Sequence, residues 1–349
     1  MLRNMAVYKF NPVEDERWDK FLESHAAASI FHTRGWMEAL RLTYGYEPVG
    51  FTTSPPGSPL TNGIPFCQIS SWLSGRRLVS LPFSDHCAPL VENAEQLSEL
   101  FAALRENVEQ EKWKYLEIRA VDSMPDSGAL QQSKVFVSHR LDLRPSLDAI
   151  FLTLHKDCVQ RNIRRAEKAS LTYEEGTTDA LLDKFYRLLL ETRRKHGLPP
   201  QPEAWFRNLV SCLGDNVRIH LAAKDGCPIA SILTLRHKHV LVYKYGCSDP
   251  RAKNLGGTHF LLWKAIQGAK NAGISEFDLG RSECDNAGLI SFKDRWGTQR
   301  STLTYFRFPF RHSQIAHTAT QGPIVKYVFA HVPDSVLAAA GRMLYKHVG

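Results

Sequence analysis

One order of segments occurs twice in this chain, and it constrains the fold more than any single residue does. In the first stretch, EPVGFTT meets a Pro/Gly/Ser turn at residues 54–59, then apolar runs around Ile64–Ile69 and Leu78–Leu81. The loop FSDHCAPLV, a helical pattern over Glu95–Glu111 and the strand KYLEIRAV complete it. In the second, VRIHLAA turns at Lys224–Asp225–Gly226 into IASILTLR and VLVYKYG. The loop CSDPRAKNLGG then leads to THFLLWKAIQGAKNAG and the strand SEFDLG. Apolar alternation marks the strands, and Phe260, Trp263, Ala265, Ile266 and Ala269 at helical spacing mark the helix. Two uses of one pattern predict a mixed α/β (α+β) chain of two similar lobes. The expected lobes are 1–145 and 146–310, with a helical segment over 147–213 inside the second and a basic tail over 311–349. Gly197 and Gly214 are the expected C-caps, and Pro199, Pro200 and Pro202 forbid one continuous helix between them.

A length of 349 residues suits two ordinary domains, large enough to bury a core without disulfides or a structural metal. The 44 Lys and Arg against 36 Asp and Glu give a net charge of +8. That surplus is compatible with nucleic acid, anionic lipid or a phosphorylated small molecule, and selects none of them. Seven scattered cysteines, none in a C-x-x-C, read as free thiols of a cytoplasmic protein. No secretory signal and no membrane-spanning run is read, the latter needing about 20 apolar residues. His237–Lys238–His239 has metal-ligand spacing but lies at a hairpin tip with no third ligand, so no metal is expected.

Three segments carry candidate chemistry. In RNIRRAEK, Arg161, Arg164, Arg165 and Lys168 share one helical quadrant, opposite Val159, Ile163, Ala166 and Ser170. Four stacked cations with no carboxylate at i+4 repel one another, so a phosphate-bearing ligand would stabilise them, with Asn162 alongside. A solvated basic face is the plain alternative. In RAKNLGGT, Arg251, Gly256 and Gly257 precede a helix start, a setting that suits a pyrophosphate, although Asn254 stands where a further small residue would ease its approach. In FDLGRS and GLISFKDRWG, Arg281 follows a strand end, and Lys293 sits between Phe292 and Trp296. A desolvated ammonium there could stabilise the oxyanion of acyl transfer, whereas a surface pair with Asp294 or a distant carboxylate would be purely structural. Asp85 of PFSDHCAPL is the candidate to orient an acceptor amine, and Tyr243 of VLVYKYG the candidate to line a substrate.

These pieces resemble the Fem-type branch of the GCN5-related N-acyltransferase superfamily. The likeness is carried by RNIRRAEK, FYRLLLETRRKHGLP, PIAS, YKYGCSD, FDLGRS and GLISFKDRWG, with IFHTRGWMEAL, YGYEP and LVSLPFSDHCAPL in the first lobe. The subgroup most resembled is associated with exopolysaccharide and exosortase loci. The resemblance implies two N-acyltransferase-like (GNAT) domains, no tightly bound cofactor, and transfer of an acyl or aminoacyl group to an amine. The acceptor would be an anionic or lipid-linked cell-envelope precursor. It also implies that Phe292–Lys293 lies in the transfer site. The coiled-coil arm that many Fem enzymes use for tRNA is not found, and the partial Arg251–Gly256 loop points toward acyl-CoA. Aminoacyl-tRNA and acyl-CoA therefore both stand as donors. An acyl-CoA-dependent N-acyltransferase acting on a small amine or amino sugar, a non-catalytic glycan-precursor-binding protein and a nucleic-acid-binding module are the competing readings. The segment 332–349 is expected to form a basic amphipathic helix that rests on another lobe or touches the inner membrane peripherally.

Overall fold

The strands fall into two sets, each the framework of one unit. The computed structural model describes residues 6–72, 75–109, 113–121, 130–309 and 323–348. Unit 1 comprises Met1–Phe136, Thr302–Ala316 and Tyr345–Gly349; unit 2 comprises Val137–Ser301 and His317–Leu344. In chain order the first part of the molecule contains β1 (Tyr8–Phe10), α1 (Glu16–Ser24), α2 (Arg34–Tyr44), β2 (Glu47–Thr52), β3 (Ile64–Ser71), β4 (Gly75–Val79), α3 (Ala94–Glu109), β5 (Tyr115–Val121) and β6 (Gln131–Asp142). There follow α4 (Leu147–Thr153), α5 (Arg161–Lys168), β7 (Thr172–Gly176), α6 (Asp179–Lys195), α7 (Glu203–Leu213), β8 (Val217–Lys224), β9 (Cys227–His237), β10 (Val240–Ser248), α8 (Gly257–Asn271) and β11 (Glu276–Glu283). The chain ends with α9 (Ala287–Asp294), β12 (Gln299–Pro309), α10 (Pro323–His331) and α11 (Asp334–Val348).

In unit 1, β1, β2, β3 and β4 are antiparallel neighbours, and β4 runs parallel to β5 after the α3 crossover. In unit 2, β7, β8, β9 and β10 are antiparallel, and β10 runs parallel to β11 after the α8 crossover. The repeated order is therefore a repeated topology. The strand next to each βαβ end comes from elsewhere in the chain. β12 pairs antiparallel with β5 in unit 1, and the second half of β6 neighbours β11 in unit 2.

The stretch read as helical over 147–213 holds α4 to α7 but also β7, an edge strand on β8. Its sequence, TYEEG, is polar because only one side of the strand is covered, so no apolar alternation announces it. Gly197, at φ 62°, and Gly214, at φ 53°, end α6 and α7 as expected. The Thr178 hydroxyl accepts the Leu181 amide to start α6, and Arg193, Arg194 and Lys195 complement the carbonyl end of the helix dipole. On α8 the expected face is buried, and so are Leu261 and Leu262, which makes α8 a core helix. Each such large side chain stabilises by about 1.5–3 kcal/mol. The expected C-terminal helix is α11; Gly349, the end of the α3 pattern at Gln110–Glu111 and residues 311–322 of the basic tail lie outside the described residues. Among the described residues no helix is long and apolar enough to cross a membrane.

Candidate active site

In unit 2 the parallel pairing of β10 with β11 is short. Val240, Leu241 and Val242 face Glu276, Phe277 and Asp278, and the register goes no further. On its other edge β10 continues against β9 to Ser248, with an irregularity between Tyr243 and Tyr245. The two strands thus part at Tyr243 on one side and Leu279 on the other. β11 bends just past that point, where Gly280 adopts φ 71° and its amide donates to the Asp278 carboxylate at 2.7 Å. An L side chain at that φ costs about 1–2 kcal/mol, which explains the glycine in FDLGRS. The Lys293 ammonium, buried on α9, donates to the carbonyl oxygens of Gly280 and Arg281, each at 2.8 Å.

Lys293 is 3% exposed, not at the surface where its ion-pair reading had placed it. Asp294 is engaged elsewhere: it pairs with Arg300 and lies 3.3 Å from His139 Nε2. His139 on β6 is fully buried, and neither ring nitrogen has a hydrogen-bond partner of good geometry. Its pKa is lowered, first by burial and next by the Lys293 charge. Phe292 is partly buried against the core, and Trp296 wholly so. Between them lies His259 on α8, stacked on Trp296 at 6.0 Å and edge-on to Phe292 at 5.4 Å; burial pulls its pKa down to about 4. Sequence reasoning missed both histidines, since strands and helices distant in the chain create their environments. Arg281 is half-buried beside the Lys293 cradle, and Tyr243 lies against Gly246 with its phenol pKa pushed up by burial.

The basic segment lies on the same unit. A five-residue π-turn, Lys156–Gln160, precedes α5, and Ile163 and Ala166 are buried while Arg161, Arg164, Arg165 and Lys168 are exposed. Among the described residues none of the four cations has an ion pair. Arg164 lies over the Phe151 ring at 5.5 Å, and Arg165 donates to the Asn254 carbonyl at 3.0 Å. Asn162 donates to the Cys158 carbonyl at 2.7 Å. Lys253, next to Asn254, adjoins Lys195 at the end of α6, and that contact lowers the Lys195 pKa. The sequence reading had not joined these two lysines to the stripe.

The loop before α8 is a 3₁₀ turn, Pro250–Leu255, closed by Gly256 at φ 73°. A Cβ on Gly256 would stand 2.5 Å from the Asn162 carbonyl oxygen, and one on Gly257 would stand 2.9 Å from Ala230 Cβ. Both glycines therefore allow close packing, of α5 on the loop and of α8 on β9. Arg251 is exposed and holds Asp249 through bonds of 2.8 and 2.9 Å.

Asp85 belongs to unit 1, in a loop with two bulky residues in the left-handed region, Leu81 at φ 49° and Phe83 at φ 61°. Such outliers persist where surrounding structure enforces them. Here Arg119 donates to the Leu81 and Ser84 carbonyls at 3.2 and 3.1 Å, and Tyr305 donates to the Asp85 carbonyl at 2.8 Å. Arg119 is itself fixed by Glu117, whose pKa stays low because Arg119 and Arg307 outweigh its burial. Asp85 is buried at 8 % exposure.

Two units that repeat one βαβ topology, one of them opening beside a buried lysine, define a tandem N-acyltransferase-like architecture. Residues 155–293 match the family described as the acetyltransferase (GNAT) domain, and with that match the chain is an enzyme of the N-acyltransferase type. No curated protein matches the chain in sequence. Among solved structures it is similar to FemX at 15% identity and a TM-score of 0.70, over 86% of this chain and 97% of that one. It is also similar to L-PGS from Bacillus licheniformis, at 13% identity and a TM-score of 0.53, over 85% of this chain and 92% of that one. A tandem GNAT protein from the clavulanic acid biosynthesis pathway gives 13% identity and a TM-score of 0.54, over 88% and 99% of the two chains. At these identities the likeness is one of fold.

Proposed function

We propose that this enzyme moves an aminoacyl or acyl group directly onto an amine of an anionic cell-envelope or exopolysaccharide precursor, at the cytoplasmic face of the membrane. The observation that carries the reading is the buried Lys293 ammonium, held on the Gly280 and Arg281 carbonyls where β10 and β11 part. A neutral amine attacking an ester or thioester carbonyl leaves negative charge on that oxygen. A fixed ammonium in a water-poor site stabilises that charge. The intermediate then collapses, the C–O or C–S bond breaks, and the leaving oxygen or sulfur takes the electron pair. The proton that the amine loses passes to the leaving oxygen or sulfur, Arg281 neutralises phosphate, and Phe292 and Tyr243 line the acyl path.

No enzyme-bound acyl intermediate is needed. The buried thiols of Cys67, Cys87 and Cys247 are pushed up by burial, away from the thiolate form a nucleophile requires.

For the donor, aminoacyl-tRNA is favoured over acyl-CoA. The α8 start is packed by the Asn162 carbonyl, and Arg251 is engaged with Asp249, which leaves little for a pyrophosphate at Gly256 and Gly257. The exposed cations of α5 suit a phosphate backbone instead. The acetyltransferase family match keeps acyl-CoA as the second reading. Thermal-shift titrations with aminoacyl-tRNA, acyl-CoAs and UDP-sugar precursors test the choice. A donor at about 100 times its dissociation constant raises stability by about 2.7 kcal/mol. Stabilisation by sugar precursors alone, without amide formation in the presence of either donor, would favour a non-catalytic binding protein.

A further inference from the structure

Two exposed lysines of unit 2 meet without a carboxylate between them. Lys195 is the last residue of α6 and, with Arg193 and Arg194, complements the carbonyl end of that helix. Lys253 comes from another element, the turn Pro250–Leu255, and brings a second ammonium against the first. An ammonium has three donors and no acceptor, so neither lysine can satisfy the other. The contact instead lowers the Lys195 pKa. The ordinary partners are near in sequence, for Glu191 stands four residues before Lys195 and Asp249 four before Lys253. Both face Arg251 instead, at 3.9 and 2.8 Å, and among the described residues neither lysine has an ion pair.

The backbone on each side is fixed. α6 stops at Gly197, at φ 62°, whose amide donates to the Arg194 carbonyl at 2.9 Å. The turn is closed by Gly256 against the Asn162 carbonyl, and Arg165 of α5 donates to the Asn254 carbonyl at 3.0 Å. That bond brings a third cation to the residue beside Lys253. His196, next to Lys195, has its pKa lowered by burial and then by the charges of Lys195, Arg193 and Lys253. Its neutral ring keeps an N–H to donate without adding another charge.

We propose that Lys195 and Lys253 form a binding site for a phosphate monoester, with Arg165 and His196 at its edge. At pH 7 a monoester carries a charge of about −1.5 to −2 on three acceptor oxygens, enough to answer both ammonium groups at once. A diester carries a single charge and suits cations met one at a time, as along α5. The assignment rests on the transferase reading, since both donors considered for it carry such a group. An RNA stem ends in a 5′-phosphate, and coenzyme A bears a 3′-phosphate.

The experiment measures the affinity of the full chain for two matched pairs of ligands. One pair is a short RNA stem with a 5′-phosphate or a 5′-hydroxyl, the other coenzyme A or dephospho-coenzyme A. In at least one pair the phosphorylated member binds about tenfold tighter, and the pair that shows it names the source. Lys195→Met and Lys253→Met each remove most of that preference and leave affinity for the dephosphorylated member as it was. Both side chains are exposed, so the variants fold as the natural chain does. Lys195 also gives a readout without ligand. By side-chain NMR it titrates below its ordinary 10.5, and Lys253→Met returns it there. No binding, equal affinity within both pairs, or a preference that outlasts both substitutions overturns the proposal. So does a Lys195 that titrates at its ordinary value in the natural chain. None of these readouts needs turnover, so a chain that shows the preference but forms no amide contradicts the transferase reading alone.

Discussion

The cradle for Lys293 depends on one backbone angle. Gly280 at φ 71° turns β11 so that two successive carbonyls meet one ammonium. Gly280→Ala is expected to cost about 1–2 kcal/mol in stability and to lower turnover further by shifting the cradle, as melting and rate measurements on one preparation will show. His259 gives a pH signature. Its pKa falls from 6.5 to about 4 in the folded chain because burial disfavours the charged ring. Above pH 6.5 neither state binds this proton and the residue adds no pH dependence. Below it the unfolded chain takes up the proton first, so stability falls by about 1.4 kcal/mol per pH unit and levels off below about pH 4. His259→Phe, which keeps the stack on Trp296, is expected to flatten that part of the urea-unfolding profile; an unchanged slope would remove His259 from the account. Lys293 was legible because its cation stands between two aromatics in FKDRW. His139 and His259 were not, since only the folded chain brings Asp294, Phe292 and Trp296 beside them.

At the scale of elements, α5 carries the clearest electrostatic prediction. Its cations face solvent without ion pairs among the described residues, and Lys253 adjoins Lys195 nearby. Arg164→Glu is expected to weaken binding of the donor several-fold, more at low salt than at high salt because screening removes part of the attraction. Unchanged affinity across the salt series would leave the stripe a solvated face. The helix itself was readable from its spacing, because buried Ile163 and Ala166 must oppose the cations. The π-turn before it was not, since nothing in KDCVQ marks it and only its hydrogen bonding departs from the α pattern. β7 escaped for the reason given by its position, an edge strand with two glutamates.

Over the whole molecule, the repeated order of strands and helix was legible because each copy buries its own apolar faces, and alternation records that burial. The exchange of last strands was not. Nothing in QRSTLTYFRFP says that its partner is β5 of unit 1, nor in the second half of β6 that its neighbour is β11. A chain ending at Ser301 is therefore expected to lose amide protection along Tyr115–Val121 in unit 1, where β12 would have paired. Hydrogen exchange on that truncation checks it. The central claim concerns Lys293. Single-turnover amide formation, measured with the donor that stabilises the protein most, compares the natural chain with Lys293→Met. The account predicts a rate lower by about 10²–10³, with donor affinity retained and the protein still folded. Transfer at the natural rate by the Met variant would contradict it.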